Sequence, residues 1–259
     1  MEFIDILYQV EAPLATITLN RPEIKNAFTL PMLESMGKAL RQAADDPLVK
    51  VICITGAGGS FCSGGNVKDM AAGRLQSWEM KRYLWEHVQR IPLLFEDVDK
   101  PVIAAIDGVA FGGGFDLALA CDFRFAADRA VFCSTFVRIG LAPGDGGAYF
   151  LPRMLGRSKA LDILLTGRVI RMSEASDLGL VDRVVASDVL LPEVRKYAGE
   201  IAQWSLPAIR AIKRAVNQGE KSDLRHHLDY VSSQLALLSE MPEHLEAVSK
   251  LVAARKSDV

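Results

Sequence analysis

The 259-residue chain is short of the patterns that mark several protein classes. Its four cysteines, Cys53, Cys62, Cys121 and Cys133, form no C-x-x-C pair. Its four histidines, His87, His226, His227 and His244, are not spaced with them for zinc. This leaves no metal site to expect. Three of the cysteines sit in apolar runs, as small buried hydrophobes do in a reducing compartment. No apolar run reaches the ~18 residues that a membrane-spanning helix needs. The opening MEFIDILYQV has no basic stretch leading into an apolar core, so no signal peptide is expected. A net charge of −2 and a pI near 6.1 argue against a nucleic-acid surface. No G-x-G-x-x-G opens a helix after the first strand, which leaves a dinucleotide-binding fold without support. Internal repeats and low-complexity stretches are missing too. The default is a soluble, cytoplasmic protein with no nucleic-acid or membrane partner.

What is present is apolar material in an ordered alternation. Hydrophobic residues make up 50% of the chain, enough for a large core. Residues 6–19 read as two short strands joined at Glu11-Ala12-Pro13. Thr29 to Ala44 reads as a helix with Leu30, Leu33, Met36, Leu40 and Ala43 on one face. Val49 to Thr55 is an apolar strand, and residues 74–97 suit one amphipathic helix. Val102 to Ile106 suits a buried strand, Phe115 to Cys121 a helix, and Phe123 to Phe132 a strand pair around Asp128. Ser173 to Leu178 suits a short helix stopped by Gly179. This alternation predicts an α/β architecture. Residues 188–203, 205–218, 222–240 and 242–255 then read as helices, with glycine nearly absent. The division expected is a core over 1–187 and a helical region over 188–259. An apolar stripe in that region (Leu224, Leu228, Val231, Leu235, Leu238) needs a cover, either its own core or another subunit.

The most informative stretch is VIAAIDGVAFGGGFDLALACD, residues 102–122. A strand runs through Asp107-Gly108 into Gly112, Gly113 and Gly114, and then into an apolar helix carrying a lone carboxylate, Asp116. Glycines at a strand-to-helix junction let a ligand approach the backbone. They also leave N–H groups free at the positive end of the helix dipole. Such N–H groups can stabilise an oxygen that gains charge in a reaction, and the neighbouring carboxylate is a candidate acid or base. A tight turn before a core helix, with Asp116 favoured only by the dipole, explains the same residues.

Five segments in order resemble the crotonase (enoyl-CoA hydratase/isomerase) superfamily. They are ITLNRPEIKNAF (17–28), GGSFCSGGNVKDM (58–70), the glycine-rich stretch, IGLAPGDGGAYFLPRMLG (139–156) and LLTGRVIRMSEASDLGLVDRVV (164–185). The resemblance implies a spiral core of repeated strand-strand-helix units followed by a helical oligomerisation region, as a homotrimer often paired into a hexamer. It implies an acyl-CoA thioester as substrate. Coenzyme A would then enter as part of that substrate, with no permanently bound cofactor. The thioester oxygen would lie between the N–H groups of Gly65 and Gly113. Ser63, Gly64, Asn66, Val67, Lys68, Gly112 and Phe136 would border the substrate. Lys68 has two readings, a contact to a CoA phosphate or adenine and a solvated surface lysine.

The acid/base residues depart from the family pattern. A hydratase of this family uses two glutamates. The first position falls on Asp116, one methylene shorter, and the second on Phe136, which cannot carry a proton. Asp145 in APGDGGAYF is the substitute, because related isomerases place an aspartate in this loop, in a register nearest Gly144. Asp145 also reads as the cap of the following helix. Arg138, His87 and Trp85 each read as structural residues or as neighbours of the acyl group. One well-placed carboxylate suits double-bond isomerisation better than two-glutamate hydration. Acyl-CoA hydrolysis, decarboxylation and non-catalytic acyl-CoA binding are the alternatives.

Overall fold

A computed structural model of the chain describes residues 2–66 and 76–257. The chain divides into two compact units, Met1–Gly199 and Glu200–Val259. In the first, β1 (Ile6–Glu11) and β2 (Leu14–Leu19) precede helix α1 (Leu30–Asp45) and β3 (Val51–Gly56). Helices α2 (Ser77–Tyr83) and α3 (Arg90–Asp97) lead to β4 (Val102–Ile106), β5 (Val109–Phe111) and α4 (Gly113–Ala120). Then come β6 (Phe123–Ala127), β7 (Val131–Cys133), α5 (Gly147–Leu155), α6 (Arg157–Thr166), β8 (Ile170–Arg171), α7 (Met172–Leu178), β9 (Arg183–Val185) and α8 (Leu190–Ala202). The second unit holds α9 (Leu206–Gly219), α10 (Leu224–Ser239) and α11 (Pro242–Ser257).

Six strands form one sheet in the order β1-β2-β3-β4-β6-β9, parallel except for the β1–β2 hairpin. The order β5-β7-β8 forms a second sheet. Single bridges extend it through Cys62 beside Ala110 and Gly65 beside Phe28. The chain therefore winds as a spiral. β4 enters the first sheet, β5 the second, and α4 follows; β6 and β7 repeat the step. This is the strand-strand-helix architecture that the family resemblance implies, and the α/β class that the alternation predicts. β4 is buried on both faces, which explains its unbroken run of Val, Ile and Ala. The Thr29 hydroxyl caps α1 by accepting the Met32 N–H at 3.1 Å, and Leu33, Met36 and Leu40 are buried against the sheet. Gly179, with φ 74°, closes α7 in the left-handed conformation that its sequence position predicts.

Two expectations need correction. Within 74–97 the described residues hold no single helix. Leu84–Val88 form a π turn between α2 and α3, with the Gln89 N–H bonded to the Leu84 carbonyl. Pro92 lies in the first turn of α3 and has no N–H to return to Val88, and the turn ahead of it widens. Second, α4 begins at Gly113 rather than Phe115. Gly113 and Gly114 are therefore in the first turn of the helix, and Gly112 caps it. In the second unit the helices match the apolar pattern. Leu224, Leu228 and Leu235 of α10 are nonetheless exposed, whereas Val231 and Leu238 of the same stripe are half-buried.

Candidate functional site

The Gly112–Gly114 junction is built by close approach. Gly112 has φ 51°, and a Cβ there would meet the Thr135 hydroxyl. A side chain on Gly114 would lie 2.1 Å from the Cys62 carbonyl oxygen. One on Gly64, at φ 80°, would lie 2.6 Å from the Gly113 nitrogen and 2.7 Å from the Phe111 oxygen. The two glycine loops thus dock backbone to backbone, which only residues without Cβ allow. Gly113 opens α4, where a helix leaves its first N–H groups unused. Neither the Gly113 nor the Gly65 N–H donates to a backbone acceptor among the described residues.

Asp116 lies one turn further along the same helix and is fully buried. Its Oδ2 accepts the Gly147 N–H at 2.9 Å. Its Oδ1 is buried with no hydrogen-bond partner among the described residues. Burial, then the nearby Asp145 charge, pushes the Asp116 carboxyl up to about 7, while the peptide N–H groups of Gly147 and Asp145 pull it down. Asp145 is raised to about 6 by burial alone. Their mutual repulsion falls on Asp116 because the lower group ionises first, and the second proton leaves against an existing charge. The Asp145 carboxylate stands where a Cβ on Gly113 would be, its Oδ2 2.3 Å from that point. The Asp145 carboxylate therefore lies against the start of α4, and the Asp116 carboxylate against the start of α5.

The cap reading of Asp145 finds no bond to support it. Gly146 occupies the cap position of α5, and no side chain caps that helix. Phe136 is half-buried at the start of a short 3-10 turn, Phe136–Ile139. Arg138 is tied to the Gly167 carbonyl at 2.7 Å, a structural contact. Ser63 donates through its hydroxyl to the Ile24 carbonyl at 3.2 Å and through its N–H to Lys25 at 3.0 Å. Asn66 is half-buried directly after Gly65. Val67 and Lys68 lie outside the described residues. The His87 ring lies tilted against that of Tyr83, centroids 6.0 Å apart, and Trp85 is exposed beneath the Arg90 guanidinium. All four cysteines are free and buried, and burial pushes the Cys53 and Cys62 thiols up to about 12.

Sequence reasoning missed three contributors. The Gly147 N–H holds Asp116 across 31 positions, which no local pattern reveals. Gln89 ends the π turn and donates to the Gly144 carbonyl at 2.9 Å, fastening the loop that carries Asp145. Phe28 lies 2.8 Å from the Cβ position of Gly113, and its N–H donates to the Gly64 carbonyl at 2.8 Å. Phe28, Leu33, Val88, Ile91, Phe95 and Leu117 line a narrow apolar cleft that Gly113 and Asp145 also border. The arrangement offers two N–H groups with no backbone acceptor among the described residues, two raised carboxyls and an apolar wall.

Residues 9–251 match a family model described as enoyl-CoA hydratase/isomerase. The crotonyl-CoA hydratase of Syntrophomonas wolfei is 36% identical over 259 residues, covering 100% of this chain and 98% of that protein. The 1,2-epoxyphenylacetyl-CoA isomerase of Escherichia coli is 33% identical over 260 residues, covering 98% and 97%. The crystal structure of an enoyl-CoA hydratase from Bacillus anthracis superposes with a TM-score of 0.91 at 31% identity, covering 97% of each chain.

Proposed function

The chain belongs to the enoyl-CoA hydratase/isomerase family and is an enzyme of acyl-CoA thioesters; from that premise we propose that it moves a carbon–carbon double bond by proton transfer through a stabilised enolate. The observation that carries this reading is the buried Asp116–Asp145 pair, with the Asp145 carboxylate against Gly113 at the start of α4. Ionised, a carboxylate of the pair takes the α-proton of a β,γ-unsaturated thioester. The C–H electron pair moves to the thioester oxygen, where the Gly65 and Gly113 N–H groups receive the charge without reorganising. The protonated carboxyl returns a proton at the γ-carbon, and an α,β double bond results. With values of about 7 and about 6, the pair holds one proton between about pH 6 and about pH 7, as a shuttle needs. Asp116 is the principal acid/base and Asp145 its partner.

Hydration is the second reading. It draws on Asp145 as a carboxylate in place of the one missing at Phe136, and on the hydratase names of several relatives. The apolar side chains beside Gly113 and Asp145 favour an uncharged acyl group over a charged one. The exposed Leu224, Leu235 and Leu251 of the second unit support burial between copies, as a trimer or hexamer. Four free buried cysteines support a reducing, cytoplasmic setting.

A panel of CoA thioesters separates the readings. Conversion of 3-enoyl-CoA to 2-enoyl-CoA, followed by the rise in absorbance on conjugation, is expected to exceed hydration of 2-enoyl-CoA and hydrolysis of the thioester. Faster hydration would favour the second reading. Binding of the thioesters without any turnover would refute both.

A further inference from the structure

Asn26 is a polar residue with no exposed surface, in a turn that brings it under the first glycine loop. Its backbone is left-handed at φ 54°, next to Lys25 at φ 52°, a conformation asparagine tolerates better than most residues. Every polar group it has is used. Its Oδ1 accepts the Arg21 N–H at 2.8 Å. Its Nδ2 donates to the carbonyls of Ala57 at 2.9 Å and Ser60 at 2.8 Å. Its own N–H donates to the Arg21 carbonyl at 2.8 Å, and its carbonyl accepts the Cys62 thiol at 3.1 Å.

The neighbours of Asn26 continue the same brace. The Lys25 carbonyl accepts the Ser63 N–H at 3.0 Å, and the Phe28 N–H donates to Gly64 at 2.8 Å. The Gly64 N–H in turn rests on the Cys62 sulfur at 3.4 Å. On its other side the loop is tied to β5 around Cys62, whose N–H donates to the Val109 carbonyl and whose carbonyl accepts the Phe111 N–H, at 2.9 Å each. Residues 57–64 belong to no regular element among the described residues apart from the single bridge at Cys62. A further bond, from the Ala57 N–H to the Leu19 carbonyl at 2.8 Å, ties the start of the loop to β2, and Asn26 joins that start, through Ala57 and Ser60, to the segment 25–28 that holds Ser63 and Gly64. An N–H donor to a developing oxyanion must be held to a fraction of an ångström, so a loop donor needs such a brace.

We propose that Asn26 is a positioning residue for the Gly65 oxyanion donor: its amide, bonded to the Ala57 and Ser60 carbonyls, fixes the loop in the register that leaves Gly65 beside the Gly113 end of α4. This rests on the reading of Gly65 and Gly113 as the two oxyanion donors.

The test uses the full chain, the variants Asn26→Asp and Asn26→Gly, and a 3-arylacryloyl-CoA thioester as probe. Asp keeps the shape and tolerates the left-handed backbone, but at best returns one of the two donor bonds. Gly keeps the backbone conformation and removes all three side-chain bonds. The absorption band of the probe moves to the red when its carbonyl is polarised, so the shift reads the donors directly. In the wild type a red shift on binding is expected. In the variants the shift is expected to fall by about half or more and kcat by roughly 10–100-fold, with probe affinity within about threefold. A folded variant with unchanged shift and kcat overturns the role of Asn26 while leaving the oxyanion donors standing. Loss of the fold in both variants, seen by circular dichroism, overturns it too, because Asn26 would then be a folding determinant. Absence of a red shift in the wild type refutes the oxyanion reading itself and the proposal with it.

Discussion

Asp116→Asn is expected to make the protein more stable and nearly inactive at once. In the folded chain the Asp116 carboxyl stands at about 7 against an ordinary 3.8, because it is buried beside Asp145. The folded state therefore binds a proton more tightly than the unfolded state does. The stability this group contributes is full below about pH 4 and is lost as pH rises through 7. A difference of about three units amounts to about 4 kcal/mol lost between those limits. Asparagine carries no charge to desolvate, and its carbonyl can keep the 2.9 Å bond from the Gly147 N–H. Its NH₂ replaces Oδ1, which has no partner among the described residues, so about 1–3 kcal/mol returns as an unsatisfied donor. The net gain at pH 8 is about 2 kcal/mol, or roughly 5 °C in Tm for a chain of this size. Because Asp145 is also raised, to about 6, a smaller decline with pH remains in the variant. Turnover is expected to fall by about 10²–10⁴-fold, since proton transfer is lost while packing survives. The assay is thermal unfolding from pH 5 to pH 8 together with turnover. A variant whose Tm falls with pH in parallel with the wild type, or which keeps turnover within a few-fold, would refute the reasoning.

Asp145→Asn should lower turnover by about 10²-fold or more, since Asp145 makes no cap bond that Asn would preserve; a silent change would remove it from the chemistry. Gly113→Ala should place a methyl 2.3 Å from the Asp145 carboxylate and 2.8 Å from Phe28. That overpacking should cost about 1–3 kcal/mol in denaturant unfolding, and the displaced N–H about 10²-fold in turnover. In the wild type, kcat/KM should peak between about pH 6 and about pH 7, where the pair shares one proton, and fall on either side; a flat profile across pH 5–8 would contradict the shuttle. Light scattering should show a trimer or hexamer at micromolar concentration, and a monomer would mean that the stripe of Leu224, Leu228 and Leu235 stays uncovered.

Local chemistry in the sequence determined much of this protein. The apolar runs of β3 and β4, the Thr29 cap, the Gly179 stop and the apolar stripes of the last helices act over a few residues, and each produced its element near the expected boundary. The triple glycine and Asp116 were legible for the same reason, because a strand-to-helix junction is a short-range event. Only the tertiary structure decided what the site holds. Asp145 stands 29 positions beyond Asp116, and its place against Gly113 comes from the winding of the spiral. The raised carboxyls are products of burial, which depends on everything packed around them and not on neighbours in sequence. The bonds of Asn26 have the same origin. Propensity and patterning are settled within about one turn of backbone, whereas desolvation, hydrogen-bond satisfaction and charge coupling are settled only when distant segments meet.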